Sequence, residues 1–206
     1  RGVPLTEGWD ERLYAYYGAQ PAEIREKLFK FHGDMTYPHF VSGKFKYEIG
    51  SARRGEQPFT PILPHEPPQS FDTSKTYKSL ASLIALNFGL LAVDDALKSI
   101  IERLEPGVHQ FFPIAINMSK GQVYPIQYYV LVIGRYFDSF VPEKSNPDSF
   151  RTFPDSNQVT NKESKLGVTG LAMRKDVIGG AHLWRERRFM SLLTCFSDTL
   201  QDEIVK

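Results

Sequence analysis

Tyr128 to Ile133 reads Tyr-Tyr-Val-Leu-Val-Ile, a run that is apolar on both faces. A strand with no wet face must be covered on both sides, so this segment predicts the middle of a sheet with other layers on it. Upstream, Phe112, Ile114 and Ile116 alternate with Pro113, Ala115 and Asn117, which predicts a second strand of the same sheet. Ser119-Lys120-Gly121 supplies turn chemistry between them. Pro113 donates no backbone hydrogen bond, which assigns it to a strand start or an edge.

The segments around this sheet mix two periods. Leu97, Ile100, Ile101 and Leu104 fall at i, i+3, i+4 and i+7, one stripe of a helix that Asp94 caps and Pro106-Gly107 ends. Leu80, Leu83, Ile84 and Leu91 suit a buried helix, with a strand over Leu83–Leu86 as the alternative. Toward the N-terminus, Leu13 to Tyr17 reads as a short strand, and Pro21 opens a helix through about Phe31 that Gly33 stops. Lys44 to Ile49 alternates charged and apolar residues like a half-buried strand. Pro58, Pro61, Pro64, Pro67 and Pro68 make residues 58–70 an extended connector. Residues 141 to 166, with Pro142, Pro147 and Pro154, read as one long polar loop. Leu171-Ala172-Met173, His182 to Arg185 and Ser191 to Phe196 read as short strands, and Ser197 or Asp198 caps a last helix. Helix and strand signals do not alternate regularly. The expected class is therefore α+β, a mixed or antiparallel central sheet with helices packed on it. Residues 1–70 form an N-terminal strand–helix–strand segment with its connector, and residues 71–206 the main α+β domain.

Composition narrows the function classes. Twenty-five basic residues stand against 24 acidic ones in 206, a formal net charge of +1. A nucleic-acid mimic would be strongly acidic and a general nucleic-acid binder basic, so neither is expected. One cysteine, Cys195, forms no internal disulfide and sits among apolar neighbours, as a small buried hydrophobe does. No signal peptide is evident in Arg1-Gly2-Val3-Pro4, and the longest apolar run, Leu80 to Val93, is too short and too broken to span a bilayer. The expected location is the cytoplasm, with no membrane partner.

The chain offers little catalytic pattern. His32, His39, His65, His109 and His182 are not paired with one another at helical spacing, and no carboxylate joins them in a metal-ligand motif. No cofactor or metal is expected. There is no nucleophile elbow, phosphate-binding glycine loop or dinucleotide fingerprint. Asp94-Asp95 points in two directions on a helix and reads as a cap. In the strand through Trp184, Glu186 alternates with arginines and reads as an ordinary ion-pair partner. His109, at a helix-to-strand junction, is assigned to the bonding of a turn backbone group. The competing enzymatic reading pairs His109 with Asp138 across distant segments.

Three blocks occur in order: Glu105-Pro106-Gly107-Val108-His109-Gln110-Phe111-Phe112-Pro113, Tyr128 to Leu131 running on to Phe137-Asp138-Ser139-Phe140, and His182-Leu183-Trp184-Arg185 with Phe196-Ser197-Asp198. Over roughly residues 80 to 206 the chain resembles immunity protein family eleven of bacterial polymorphic toxin systems. Ser145 matches that family's serine after the central strand only loosely. The resemblance implies a non-catalytic protein that binds and neutralises a cognate toxin domain encoded by a neighbouring gene, in interbacterial competition. An adaptor or chaperone that carries an effector is the alternative. The motif residues His109, Gln110, Phe111, Phe112, Pro113, Asp138, Trp184, Arg185, Ser197 and Asp198 are then fold-forming. A toxin-binding face is expected on the exposed 142–166 loop, through Glu143, Lys144, Asp148, Phe150, Arg151, Phe153 and Asp155. Tyr16, Tyr17, Tyr37, Phe150 and Phe153 are its candidate aromatic anchors.

Overall fold

The computed structural model of the chain describes residues 8–29, 37–46, 62–153, 157–162, 168–189 and 193–205. It divides into two units, Arg1–Ser99 with Gln110–Val132, and Ile100–His109 with Ile133–Lys206. The fold is α+β.

The first unit opens with three helices, α1 (Trp9–Gly18), α2 (Ala22–Phe29) and α3 (Tyr37–Lys46). Leu13–Tyr17 is therefore helix and not strand. Trp9, Leu13 and Tyr17 recur at i, i+4 and i+8, and all three are buried, so helical spacing decides over aromatic content. Glu11 Oε2 accepts from the Gly8 N–H at the start of α1. Lys44 to Lys46 are likewise helical, because Val41 and Phe45 bury one face. The alternation there misleads, since Lys44 is itself buried. Residues 47–49, Phe31 and Gly33 lie outside the described residues.

The connector enters the description at residue 62 and is no loose strap. Glu66 within it is fully buried, and its carbonyl accepts from the Trp9 indole at 2.8 Å. After it come β1 (Ser70–Asp72), β2 (Leu83–Ala85), β3 (Leu91–Asp94), β4 (Gln110–Met118), β5 (Gln122–Val123) and β6 (Tyr128–Val132). The expected buried helix over Leu80–Leu91 is instead the β2–β3 hairpin. The sheet order is β1-β4-β6-β3-β2, with β5 paired to β4. Only β1 and β4 run parallel; the other pairs are antiparallel.

The two-faced run is the centre of this sheet, as its lack of a polar side requires. Phe112 and Val130 are opposite each other and share one face, where Phe45 of α3 meets Phe112 edge-on at 5.7 Å. Phe111 and Tyr129 belong to the other face, where the Lys98 ammonium lies 5.3 and 5.2 Å from their rings. Lys98 belongs to α4 (Asp95–Leu104), whose start Asp94 caps by accepting from the Leu97 N–H at 2.9 Å. Pro113 sits inside β4 but at a local edge. Ala115 N–H donates to the Gln69 carbonyl, and Pro113, two residues earlier, points the same way before β1 has begun.

The second unit holds β7 (Tyr136–Phe137), β8 (Phe150–Thr152), β9 (Val159–Asn161), α5 (Lys175–Ile178), β10 (Leu183–Glu186), β11 (Thr194–Phe196) and α6 (Asp198–Ile204). β10 pairs antiparallel with β11 and parallel with β7. The expected 141–166 loop contains the β8–β9 hairpin. Leu171–Met173 contributes a single bridge, Met173 to Phe140, and not a strand. Phe140 meets Phe150 at 5.0 Å and Phe189 at 4.9 Å, and Val159 completes this core. Ser197 caps α6, its side chain accepting from the Leu200 N–H.

Gly134 has no room for a side chain. A Cβ there would stand 1.8 Å from the Val108 carbonyl oxygen, and backbone cannot swing aside as a side chain can. Gly134→Ala is expected to cost about 3 kcal/mol, the upper end of ordinary overpacking, measured by urea denaturation against the parent.

Candidate functional site

Among the described residues three glutamates lie in the interior, and each must replace the water that its carboxylate has lost. Glu105 follows the last turn of α4 and is 4% exposed. Its Oε2 accepts from His109 Nε2 at 3.0 Å and from the Leu183 N–H at 2.8 Å. Its Oε1 accepts from Arg135 Nε at 2.6 Å. The His109 ring uses its other nitrogen as well, since Nδ1 accepts from the Gly134 N–H at 3.0 Å. With Nδ1 accepting, Nε2 carries the proton and donates to Glu105. The cluster ties the end of α4, the 134–135 turn and the start of β10 together. Burial alone would raise the Glu105 carboxyl. The hydrogen bond and electrostatic attraction of the His109 ring, with the backbone N–H groups of His182 and Leu183, outweigh it and hold the carboxyl down at about 2.

Glu186, at the end of β10, is fully buried. Its Oε2 accepts from Ser139 twice, from the backbone N–H at 2.9 Å and the hydroxyl at 2.6 Å, and its Oε1 accepts from the Arg188 N–H at 3.2 Å. The expected ordinary ion pair with a neighbouring arginine is replaced by these neutral donors. Burial therefore wins here and raises the Glu186 carboxyl. Glu66, in the first unit, accepts from Lys44 Nζ at 2.6 Å on both oxygens, from the Leu63 N–H at 2.6 Å, and from the Tyr17 hydroxyl. Burial and that bond push the Tyr17 phenol far up.

The carboxylates of all three clusters are buried. Both His109 nitrogens are bonded and its side chain is sealed, while Asp138 is exposed, so the two do not form an acid–base couple. Among the described residues, no three His, Cys, Asp or Glu side chains group to hold a metal. His182 Nδ1 lies 2.8 Å from Ser197 Oγ, but that oxygen already accepts from the Leu200 N–H at 3.1 Å and serves as the cap of α6. Burial, with the Glu186 charge, pushes the Cys195 thiol up to about 12, far from a reactive thiolate.

The other motif residues fall into the frame. Gln110 to Pro113 begin β4; Trp184 and Arg185 are buried in β10, with Trp184 tilted on Phe137 at 6.5 Å. Asp198 is exposed at the start of α6. Of the expected contact residues, Glu143, Lys144, Asp148, Arg151 and Phe153 are exposed. Phe150 turns inward at 8% exposure, as does Tyr17, while Tyr16 is 39% exposed. Asp155 lies outside the described residues. The segment is held from below: Ser149 Oγ donates to the Thr169 carbonyl at 2.6 Å, and Lys162 Nζ reaches the Pro147 carbonyl at 2.6 Å. Glu105 stands four residues before His109, but Pro106 and Gly107 end the helix between them, so helical spacing alone does not reveal the pair.

A family model described as an immunity protein family (Imm11) matches residues 25–206, beginning well before the three motif blocks. No curated protein sequence matches the chain.

Glu105→Gln is expected to cost about 3 kcal/mol at pH 7, because a buried charge-assisted hub loses its charge. A carboxyl held low in the fold stabilises it above its ordinary range, and that contribution is lost as pH falls toward about 2. The gap between parent and variant should therefore shrink by about 1 kcal/mol at pH 3.5, read from paired urea titrations.

Proposed function

The chain belongs to the immunity protein family Imm11, and we propose that it neutralises one cognate bacterial toxin domain by binding it, with no catalytic step of its own. The observation that carries this reading is the family match over residues 25–206. The side chains add support. The histidine and carboxylates that look most like chemistry are consumed inside the frame, which leaves recognition to the surface. No helix among the described residues is long and apolar enough to cross a membrane. A partner in the cytoplasm of the producing cell, encoded by a neighbouring gene of a polymorphic toxin system, fits this reading.

Neutralisation sets the affinity. A lethal enzyme in its own cell must be almost wholly bound, which demands a nanomolar or tighter complex, about −12 kcal/mol. A few buried anchors supply most of such an energy, ringed by polar contacts. Phe153, just after β8, is an exposed aromatic, and Arg151 on β8 with Glu143, Lys144 and Asp148 before it are exposed charged residues of the same stretch. The Ser149 and Lys162 bonds hold this segment in place before the partner arrives, which lowers the entropic cost of association.

The deciding experiment is co-expression with the toxin domain encoded next to this protein, scored by survival and by co-purification. Rescue with a stoichiometric complex is expected. A proven toxin that neither binds nor is restrained removes the reading, and an effector that stays active while bound replaces it with a carrier. Phe153→Asp is expected to weaken the complex by about 2 kcal/mol or more without unfolding the protein, read by calorimetry on the purified pair.

A further inference from the structure

β2 is the last strand of the six-stranded sheet, and among the described residues nothing pairs with its outer edge. The ladder to β3 fixes what that edge presents. Asp94 N–H donates to the Ser82 carbonyl and Leu86 N–H to the Leu90 carbonyl, so Ser82, Ile84 and Leu86 are the residues bonded inward. Leu83 and Ala85 therefore turn their N–H and C=O groups away from the sheet. A cleft of about 280 Å³ runs along this strand. Its walls include Phe71, Leu80, Ile84 and Ile116, and Tyr77, 40% exposed, is also part of its lining.

Among the described residues, Asp72 is the only side chain in the cleft lining that is charged at neutral pH; Lys75 and Lys78, on the same loop, are not part of it. Asn117 Nδ2 donates to Asp72 Oδ1 at 2.9 Å and fixes the carboxylate. The loop that brings in Tyr77 is also pinned. Thr76 Oγ1 and Ser119 Oγ are 2.8 Å apart, and Leu80 N–H donates to the Tyr124 hydroxyl at 3.0 Å.

We propose that this cleft receives an extended segment of the toxin carrying a basic side chain, the toxin itself resting on the immunity reading above. The segment adds a strand to β2, bonding the outward N–H and C=O groups of Leu83 and Ala85. One of its arginines or lysines lays its aliphatic stem on the apolar wall and its cation against Asp72. Among the described residues the cleft is negative, holds no cation and lies beside an unpaired strand edge, which suits this occupant and repels an acidic one.

The test needs no knowledge of the toxin. The isotope-labelled full chain is titrated with the blocked peptide Thr-Val-Arg-Val-Thr and with its glutamate-centred counterpart, followed by backbone amide NMR. Shifts at Leu83, Ala85 and Tyr77 with the arginine peptide, at least tenfold weaker with the glutamate peptide and with Asp72→Asn, support the proposal. No shift at Leu83 and Ala85, equal binding of the two peptides, or concentration-dependent pairing of two copies through β2 overturns it. Ala85→Pro removes only an outward N–H and should abolish binding with the rest of the spectrum unchanged; if it fails to fold, Asp72→Asn decides. In the survival assay, a protective parent with both variants at least tenfold less protective supports the cleft. A protective parent with equally protective variants overturns the cleft and leaves immunity standing. A parent that does not protect removes immunity, and the peptide titration then decides the cleft alone.

Discussion

A carboxylate that leaves water must be met by donors from several directions, and that demand organises both units of this protein. Glu105 draws on His109, Arg135 and the Leu183 backbone; Glu186 draws on Ser139 and the Arg188 backbone; Glu66 draws on Lys44, Tyr17 and the Leu63 backbone. Each set comes from segments far apart in sequence. Satisfying one buried anion therefore closes several loops at once, and leaving it unsatisfied is costly. The opposite shifts of Glu105 and Glu186 show which donors matter. Burial pushes both up, and the bond from the His109 ring with those from the His182 and Leu183 backbone reverses the outcome only at Glu105.

This explains which parts of the fold were readable. The Tyr128–Ile133 run and the Phe112–Ile116 alternation report burial directly, and both became central strands. The Leu97–Leu104 stripe, with Asp94 before it and Gly107 after it, carried its own start and stop. Lys44 misleads because a lysine ordinarily marks a wet face, whereas Glu66, 22 residues away, pairs with it in the interior. At Leu13–Tyr17 aromatic content suggests a strand, but the Trp9–Leu13–Tyr17 spacing buries one helical face. The β8–β9 hairpin was hidden by prolines and polar residues; its inner face rests on Phe140 and Phe189, residues that local pattern cannot connect to it.

The same physics separates the motif from the proposed binding surface. His109, Trp184 and Arg185 are buried because they make the frame, and a frame can be shared by proteins that meet different partners. Of the contact residues expected from sequence, those that remain exposed are mostly charged, with Phe153 as the aromatic exception. Sequence pattern ranks buried positions well because burial imposes a period. Exposed positions carry no such constraint, so position in the fold must choose among them.

The strand edge at β2 illustrates that choice. Nothing in Leu83-Ile84-Ala85 marks a recognition element, since three apolar residues fit a core strand equally well. The hydrogen-bond parity with β3 shows that Leu83 and Ala85 spend nothing on their own sheet, and the cleft beside them adds one carboxylate to an otherwise apolar wall. An open edge beside apolar surface invites aggregation unless something makes it selective. Backbone pairing alone accepts any sequence that can extend. Asp72 supplies the missing discrimination, because a buried or half-buried acid in the partner segment would face it without a counter-charge, while a basic residue would not.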